Sequence, residues 1–440
     1  MLNLSAESTF LIDYYDKKMK LSIPNKKSPE LEDLHEHIYD KLDRIYDVIN
    51  TDLCNIKNFR KIYDKDAIEY TELLKNAYKS HFTDNPYIDA DMKNFINNKS
   101  GILIVYSLPY KNKMVSINFI EYNKISPSYL SNLDKIVKNM LAQIYLVSQL
   151  STNISCSNDG ISVIIFMTPY RRELEEKQGD VLGSRNANGG FCYGCKGHGE
   201  IVVYRKEEYF KVFSHELIHN FGVDTHMWKF MTAAKIDNSK EQKLYNKFLD
   251  NYSLSGENGL VPQEALVEFW GLFLNNTIYS YVYSNNCNLS TSNQKLKIFK
   301  EMFKKIMEFE IKHSLLQTVK ILNHYNLTYT DILSSDTEVD YREKTHIFSY
   351  YVLKLMLLYN YSAFIETKIT TSKGKAIYFH NSLPNIGRFF NYINTVSNSK
   401  SLISNLKAVD KDLIFLKSQK KSREISYLIS NLRMSMLEYD

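Results

Sequence analysis

Residues Phe213-Ser-His-Glu-Leu-Ile-His-Asn-Phe-Gly-Val-Asp-Thr-His226 constrain the fold of this chain more than any other stretch of its 440 residues. His215 and His219 are four apart, so on a helix they share one face and can offer two imidazole nitrogens to a single metal ion, with Glu216 beside them as a base. From the His and Glu content, such an HExxH spacing arises by chance on the order of 0.02 times in a chain of this length. The surroundings agree with the motif. The strand-like run Glu200-Ile-Val-Val-Tyr-Arg205 leads directly into a predicted helix over Lys206 to Asn220, and Gly222 stands where a left-handed C-terminal cap belongs. A helix that carries ligands on one face needs a sheet or other helices under the opposite face. The fold class expected is therefore α+β, a small mixed sheet plus an active-site helix, flanked by mainly helical regions.

A catalytic zinc site takes three protein ligands and leaves a fourth position for water. Candidates for the third are Asp224, His226 and Glu264. In the HExxHxxGxxH pattern Gly222 falls correctly, but the third histidine belongs at 225, which is Thr225; His226 is one position late. Glu264 lies in Val261-Pro-Gln-Glu-Ala-Leu-Val-Glu-Phe-Trp-Gly-Leu-Phe273, a predicted helix with proline near its start. Glu264 and Glu268 share a face, so the first can bind metal while the second orients a ligand histidine. Two ordinary glutamates on a solvated face are the plainer alternative. Leu266, Phe269, Trp270 and Phe273 argue for a buried helix, in which a carboxylate needs a partner. Asp224 has two readings, an outer acceptor for a ligand histidine and a turn-forming aspartate.

Around this centre the chain divides into three stretches. Residues 1–100 contain the gly-free helical pattern Leu34, Ile38, Leu42, Ile45, Ile49 and read as a helical N-terminal region. Residues 101–285 hold two strand-like runs, from Gly101 and from Met114, joined as a hairpin. They also hold a long helix opened by Ser126-Pro127, a third strand over Ile161 to Met167, a glycine-rich loop from Gly179 to Gly199, and the motif helix. Residues 286–440 read as mainly helical, and the last sixty are polar and basic without a chemical motif. The strand Glu200 to Tyr204 is expected to pair with an extended peptide by main-chain hydrogen bonds.

Composition narrows the class. With 44% hydrophobic and 24% charged residues the chain is globular, which excludes a disordered tail. A net charge of +5 selects no partner and indicates no specific nucleic-acid binding. No signal peptide or transmembrane segment is apparent. Five scattered cysteines suit a reducing compartment better than a disulfide framework, so an intracellular location is expected. Cys192-Tyr-Gly-Cys195-Lys-Gly-His198 has metal-like spacing but offers three ligands where a structural site wants four; a flexible loop over the cleft is the plainer reading. Candidate oxyanion donors are His226, Tyr281 and Tyr283.

Asn188-Gly-Gly-Phe-Cys192 followed by Ile201-Val-Val-Tyr-Arg-Lys-Glu-Glu-Tyr-Phe-Lys-Val-Phe-Ser-His-Glu-Leu-Ile-His-Asn-Phe-Gly-Val-Asp224 resembles the core of a zincin-like family encoded by large nucleocytoplasmic DNA viruses. That family's pattern is a strand, Tyr-Arg-Lys-Glu-Glu, then HExxH-x-Phe-Gly-x-Asp. Glu264-Ala-Leu-Val-Glu268-Phe-Trp270 is similar to its downstream ExxxExW segment, and Phe348-Ser-Tyr-Tyr-Val-Leu-Lys-Leu-Met356 resembles its later helix. The resemblance spans about residues 100 to 400 and implies a metallopeptidase with one Zn²⁺ per chain. The ligand spacing also resembles that of the anthrax lethal factor catalytic domain, which by analogy supports Glu264 as the third ligand.

Two functions from different classes follow as expectations. One is a zinc metallopeptidase acting on a peptide or protein substrate, with zinc on His215, His219 and Glu264 and Glu216 as general base. The other is a non-catalytic virion or host-interaction protein with the same fold and structural or absent zinc.

Overall fold

In the computed structural model, residues 3–24, 28–77, 82, 85–110, 112–151, 155–175, 177–252, 254, 260–333, 339–372, 376–377, 382–419 and 422–439 are described. They form a mixed α+β structure built on a six-stranded sheet of order β1-β2-β3-β4-β6-β5. The strands are β1 (Arg60–Tyr63), β2 (Ile102–Tyr110), β3 (Lys113–Glu121), β4 (Gly160–Phe166), β5 (Gly190–Cys192) and β6 (His198–Val203). β2 and β3 form the expected antiparallel hairpin, with Tyr110 opposite Lys113. The chain then crosses over through the helix Pro127–Leu150, capped by Ser126, so that β4 returns parallel to β3.

The central strands are apolar on both faces because both faces are covered. Ile104, Tyr106, Ile117, Phe119, Val163 and Ile201 point into the main core with the crossover helix and the motif helix Tyr209–Asn220. Leu103, Ile120, Phe166 and Val202 pack on the opposite side against Phe82, Ile88, Met92 and Ile96. The first hundred residues thus contribute helices, the edge strand β1 and the cover of the second sheet face.

Two sequence expectations are corrected here. β6 is not the sheet edge: β4 pairs with it in parallel on one side and β5 in antiparallel on the other, so the edge beside the motif helix is β5. Three residues of glycine-rich chain, Gly190-Phe-Cys192, were too short to show a strand period. Cys156 and Cys195 form a disulfide across 39 residues, so Cys195 is not a metal ligand in the Cys192–His198 loop. His198 instead places Nε2 3.0 Å from Ser162 Oγ. Among the described residues no helix is long and apolar enough to cross a membrane.

The polar last sixty residues also hold a surprise, since Leu432 to Leu437 are buried. The backbone there satisfies buried side chains from across the molecule. Tyr351 hydroxyl donates to Leu432 O, Lys354 Nζ to Met434 O at 2.7 Å, and the Met434 and Ser435 N–H groups donate to Glu208 at 3.0 and 2.6 Å.

Candidate metal centre

The motif helix begins beside Glu208, whose carboxylate binds Arg172 Nη1 at 2.9 Å and the Met434 and Ser435 amides. It ends as its glycine requires. Gly222 adopts φ +64°, Gly222 N–H donates to His219 O, and Val223 N–H donates to Ile218 O. This tight turn carries Asp224 back beneath the last helical turn, where Oδ2 lies 2.7 Å from His219 Nδ1. Gln263 Nε2 also donates to that carboxylate.

The second half of the centre comes from the helix Pro262–Asn286, which starts with proline in its first turn and packs across the motif helix. Gly271 makes the approach possible: a Cβ there would stand 2.9 Å from His215 Cα, closer than real contacts allow. With the helices this close, Glu264 Oε2 lies 3.4 Å from His215 Nε2 and 3.6 Å from His219 Nε2. One turn on, Glu268 Oε2 is 2.8 Å from His215 Nδ1. Glu268 is 1% exposed, and its negative charge is met by Lys211 and, at 3.8 Å, by Lys354. Glu264 thus faces both Nε2 atoms and Glu268 the Nδ1 of His215.

The donor set fits a zinc ion. Ligand atoms held at 2.0–2.1 Å in a tetrahedron lie about 3.4 Å apart, close to both carboxylate–imidazole separations. The ligand atoms of His215, His219 and Glu264 all fall within 4.8 Å of one another. Each imidazole has Nδ1 within hydrogen-bond distance of a carboxylate, so a neutral ring that donates there turns its Nε2 lone pair to the shared space. Asp224 is engaged on the Nδ1 side of His219, and His226 is not among the residues lining the cavity, so of the three candidates Glu264 completes the triad.

Electrostatics point the same way. Burial alone would lower both imidazole pKa values. Glu264 and Glu268 more than offset this at His215, and Asp224 and Glu264 raise His219 well above the usual range. Glu264, opposed by its own burial, is held well below the carboxylate range by His219 and His215, and Glu268 is lowered by Lys211, His215 and Lys354. The space between the Nε2 atoms and Glu264 therefore attracts positive charge, whether protons or a metal cation. Glu216 differs: burial raises its pKa, and the two imidazoles offset that only in part.

His215, His219, Glu264 and Glu216 all line one cavity of about 510 Å³. Tyr350, Tyr87 and His346 line it as well, and none of them was singled out by sequence. Tyr350 lies in a π-helical turn, Ser349–Leu353, followed by the helix Lys354–Tyr359; His215 and Tyr350 rings are 6.1 Å apart, edge to face. The wider turn of a π-helix lets adjacent tyrosines serve different regions, Tyr350 the cavity and Tyr351 the buried carbonyl of Leu432. The tyrosines chosen from sequence lie elsewhere. Tyr281 hydroxyl donates to Asp43 Oδ1 at 2.6 Å, and Tyr283 stacks on Tyr279. Cys192 lines the cavity as a free thiol with Sγ 3.4 Å from Glu216 O, and burial pushes its pKa up.

Comparison of the chain with protein-family models, curated proteins and solved structures finds no match.

Proposed function

We propose that this chain is a zincin-like zinc metallopeptidase that hydrolyses peptide bonds in a peptide or protein substrate, in keeping with its resemblance to the viral zincin-like family. One observation carries this reading. His215 and His219 each have Nδ1 tied to a carboxylate and Nε2 directed at Glu264, while the neighbouring Glu216 keeps its carboxyl on the same cavity, free of any ligand role. A site needed only for structure has no use for that fourth group.

A zinc ion held by His215, His219 and Glu264 would supply a Lewis acid that polarises the scissile carbonyl and lowers the pKa of a water. Glu216, with its pKa raised by burial, takes the water proton and passes it to the leaving amine. Tyr350, which lines the cavity beside His215, is the hydroxyl we assign to hydrogen bonding with the developing oxyanion, in preference to His226, Tyr281 and Tyr283. The outer edge of β5, whose residues Gly190 to Cys192 line the cavity, offers main-chain groups to an extended peptide, the role the sequence had given to β6.

The test compares wild type with Glu216→Gln and His219→Ala. Elemental analysis should find about one zinc per wild-type chain and per Glu216→Gln chain, and little in His219→Ala. Glu216→Gln should lose about 10²–10⁴-fold in peptide hydrolysis. Equal hydrolysis by that variant would remove Glu216 from the mechanism, and zinc-loaded wild type that cleaves no member of a diverse peptide library would leave the non-catalytic alternative.

A further inference from the structure

Large apolar side chains are buried almost everywhere in this molecule. Ten are exposed among the described residues, and three of these, Tyr87 (42% exposed), Tyr193 (40%) and Trp228 (56%), line the cavity of the metal centre. They come from three separate stretches: the turn before the helix Ala90–Asn98, the loop after β5, and the helix Thr225–Ala233 that follows Gly222. One amphipathic face cannot account for such convergence, and an apolar surface gathered at a cavity marks a binding region.

The rings stand on braced backbone. Tyr87 O accepts from Tyr204 hydroxyl at 2.6 Å and its N–H donates to Asn85 Oδ1 at 2.9 Å. Tyr193 lies edge-on to Phe191, carries Lys196 Nζ over its ring at 4.3 Å, and is two residues from the Cys156–Cys195 bridge. Trp228 is set in the first turn after the cap, its N–H donating to Asp224 O at 3.0 Å. A braced backbone leaves only the two side-chain torsions of each ring to be ordered when it closes on a ligand.

Charge selects further. No Lys or Arg is among the described residues lining the cavity, whereas Glu216, Glu264 and Asp224 all are. With a divalent cation bound, three carboxylates still outweigh it. An acidic substrate side chain would meet repulsion from these carboxylates, and Lys196 Nζ beside the cleft is already engaged with the face of the Tyr193 ring.

We propose that this cleft recognises peptides through a bulky aromatic or aliphatic side chain held by Trp228, Tyr193 and Tyr87, and discriminates against acidic side chains. The proposal rests on the metallopeptidase reading for its substrate being a peptide. Its test separates the two. The chain has two tryptophans, and Trp270 is fully buried, so changes in tryptophan emission on ligand binding report Trp228.

The probes are acetylated, amidated Ala-Ala-X-Ala-Ala peptides with X as Phe, Leu, Ala, Lys or Glu, titrated by emission into full-length zinc-loaded Glu216→Gln and assayed for cleavage by wild type. The expected order is Phe above Leu above Ala above Glu in both, with Phe over Ala by about 10-fold or more. Trp228→Ala, followed by calorimetry, should keep its zinc and shrink the Phe-to-Ala ratio several-fold. Three results would overturn the proposal: binding indifferent to X, a Lys peptide binding tightest, or a ratio unchanged in Trp228→Ala. A concentration-dependent dimer that shields Trp228 from acrylamide would also overturn it, by assigning the rings to a second copy. Ordered binding without cleavage keeps the aromatic subsite and sinks the peptidase reading; cleavage without the order does the reverse.

Discussion

The two histidines of the candidate metal centre are each held by a carboxylate, in two different settings. His215 is oriented by Glu268, fully buried between the helices and matched by Lys211 and Lys354. His219 is oriented by Asp224, which is also buried, at 4% exposure, but has the neutral amide of Gln263 in place of a lysine. An ionised carboxylate withdrawn from water requires opposite charge and hydrogen bonds; Glu268 has two ammonium groups besides its imidazole, Asp224 an imidazole and an amide. The deep side therefore extends into the protein, through Lys354 to Met434 O and through Lys211 to Met434 Sδ, and couples the ligand to the buried C-terminal stretch. The mouth side is local, made by residues 219 to 224 and one neighbour. Loss of a carboxylate should thus be a folding event on one side and a binding event on the other.

The largest break in that contrast is Glu268→Gln. It leaves Lys211 and Lys354 buried without their shared counter-charge, and stability should fall by about 3–5 kcal/mol in urea unfolding, with zinc lost alongside. A loss below about 1 kcal/mol would show that the deep network is solvated and the contrast false.

A smaller effect concerns pH. Burial lowers the Lys354 ammonium to about 8, with Glu268 partly offsetting it, against an ordinary 10.5. Between these values the unfolded chain binds more protons than the folded one. The contribution of Lys354 to stability therefore rises as pH increases through that window and is flat below about 8. Comparison of unfolding midpoints for wild type and Lys354→Met from pH 7.5 to about 9.5 should show a rise in the wild type that the variant lacks; parallel curves would place the lysine in water.

Asp224→Asn should be mildest for the fold. Zinc affinity, read by competition with a chelator, should drop about 10–100-fold, while unfolding free energy of the metal-free protein changes by under about 1 kcal/mol. Equal destabilisation by the Asp224 and Glu268 substitutions would erase the distinction between the two sides.

What was legible in the chain was what neighbouring residues decide. His215, His219 and Glu216 follow from a four-residue spacing, Gly222 from the need to end a helix, and the pair Glu264 and Glu268 from a second four-residue spacing on an apolar helix. The outer-acceptor reading of Asp224 matches the observed turn because only five residues separate it from its partner. Tyr350 stands in a stretch of Tyr, Val and Leu that gives no sign of which tyrosine a π-turn will direct to a cavity. The Cys156–Cys195 pairing and the edge position of β5 depend on strand order across the sheet, to which cysteine count and a three-residue run are blind.

By itself the sequence determined the motif helix, its cap, the second helix with Glu264 and Glu268 on one face, and the α+β class, because helical periodicity and capping act over a few residues. Tertiary structure alone decided which carboxylate meets which imidazole, by letting Gly271 bring two helices into contact. It also decided that Lys211 and Lys354 neutralise Glu268 and that Tyr87, Tyr193 and Trp228 share one cavity. Burial, ion pairing and ring convergence join residues tens to hundreds of positions apart, and no local pattern encodes which of them will meet.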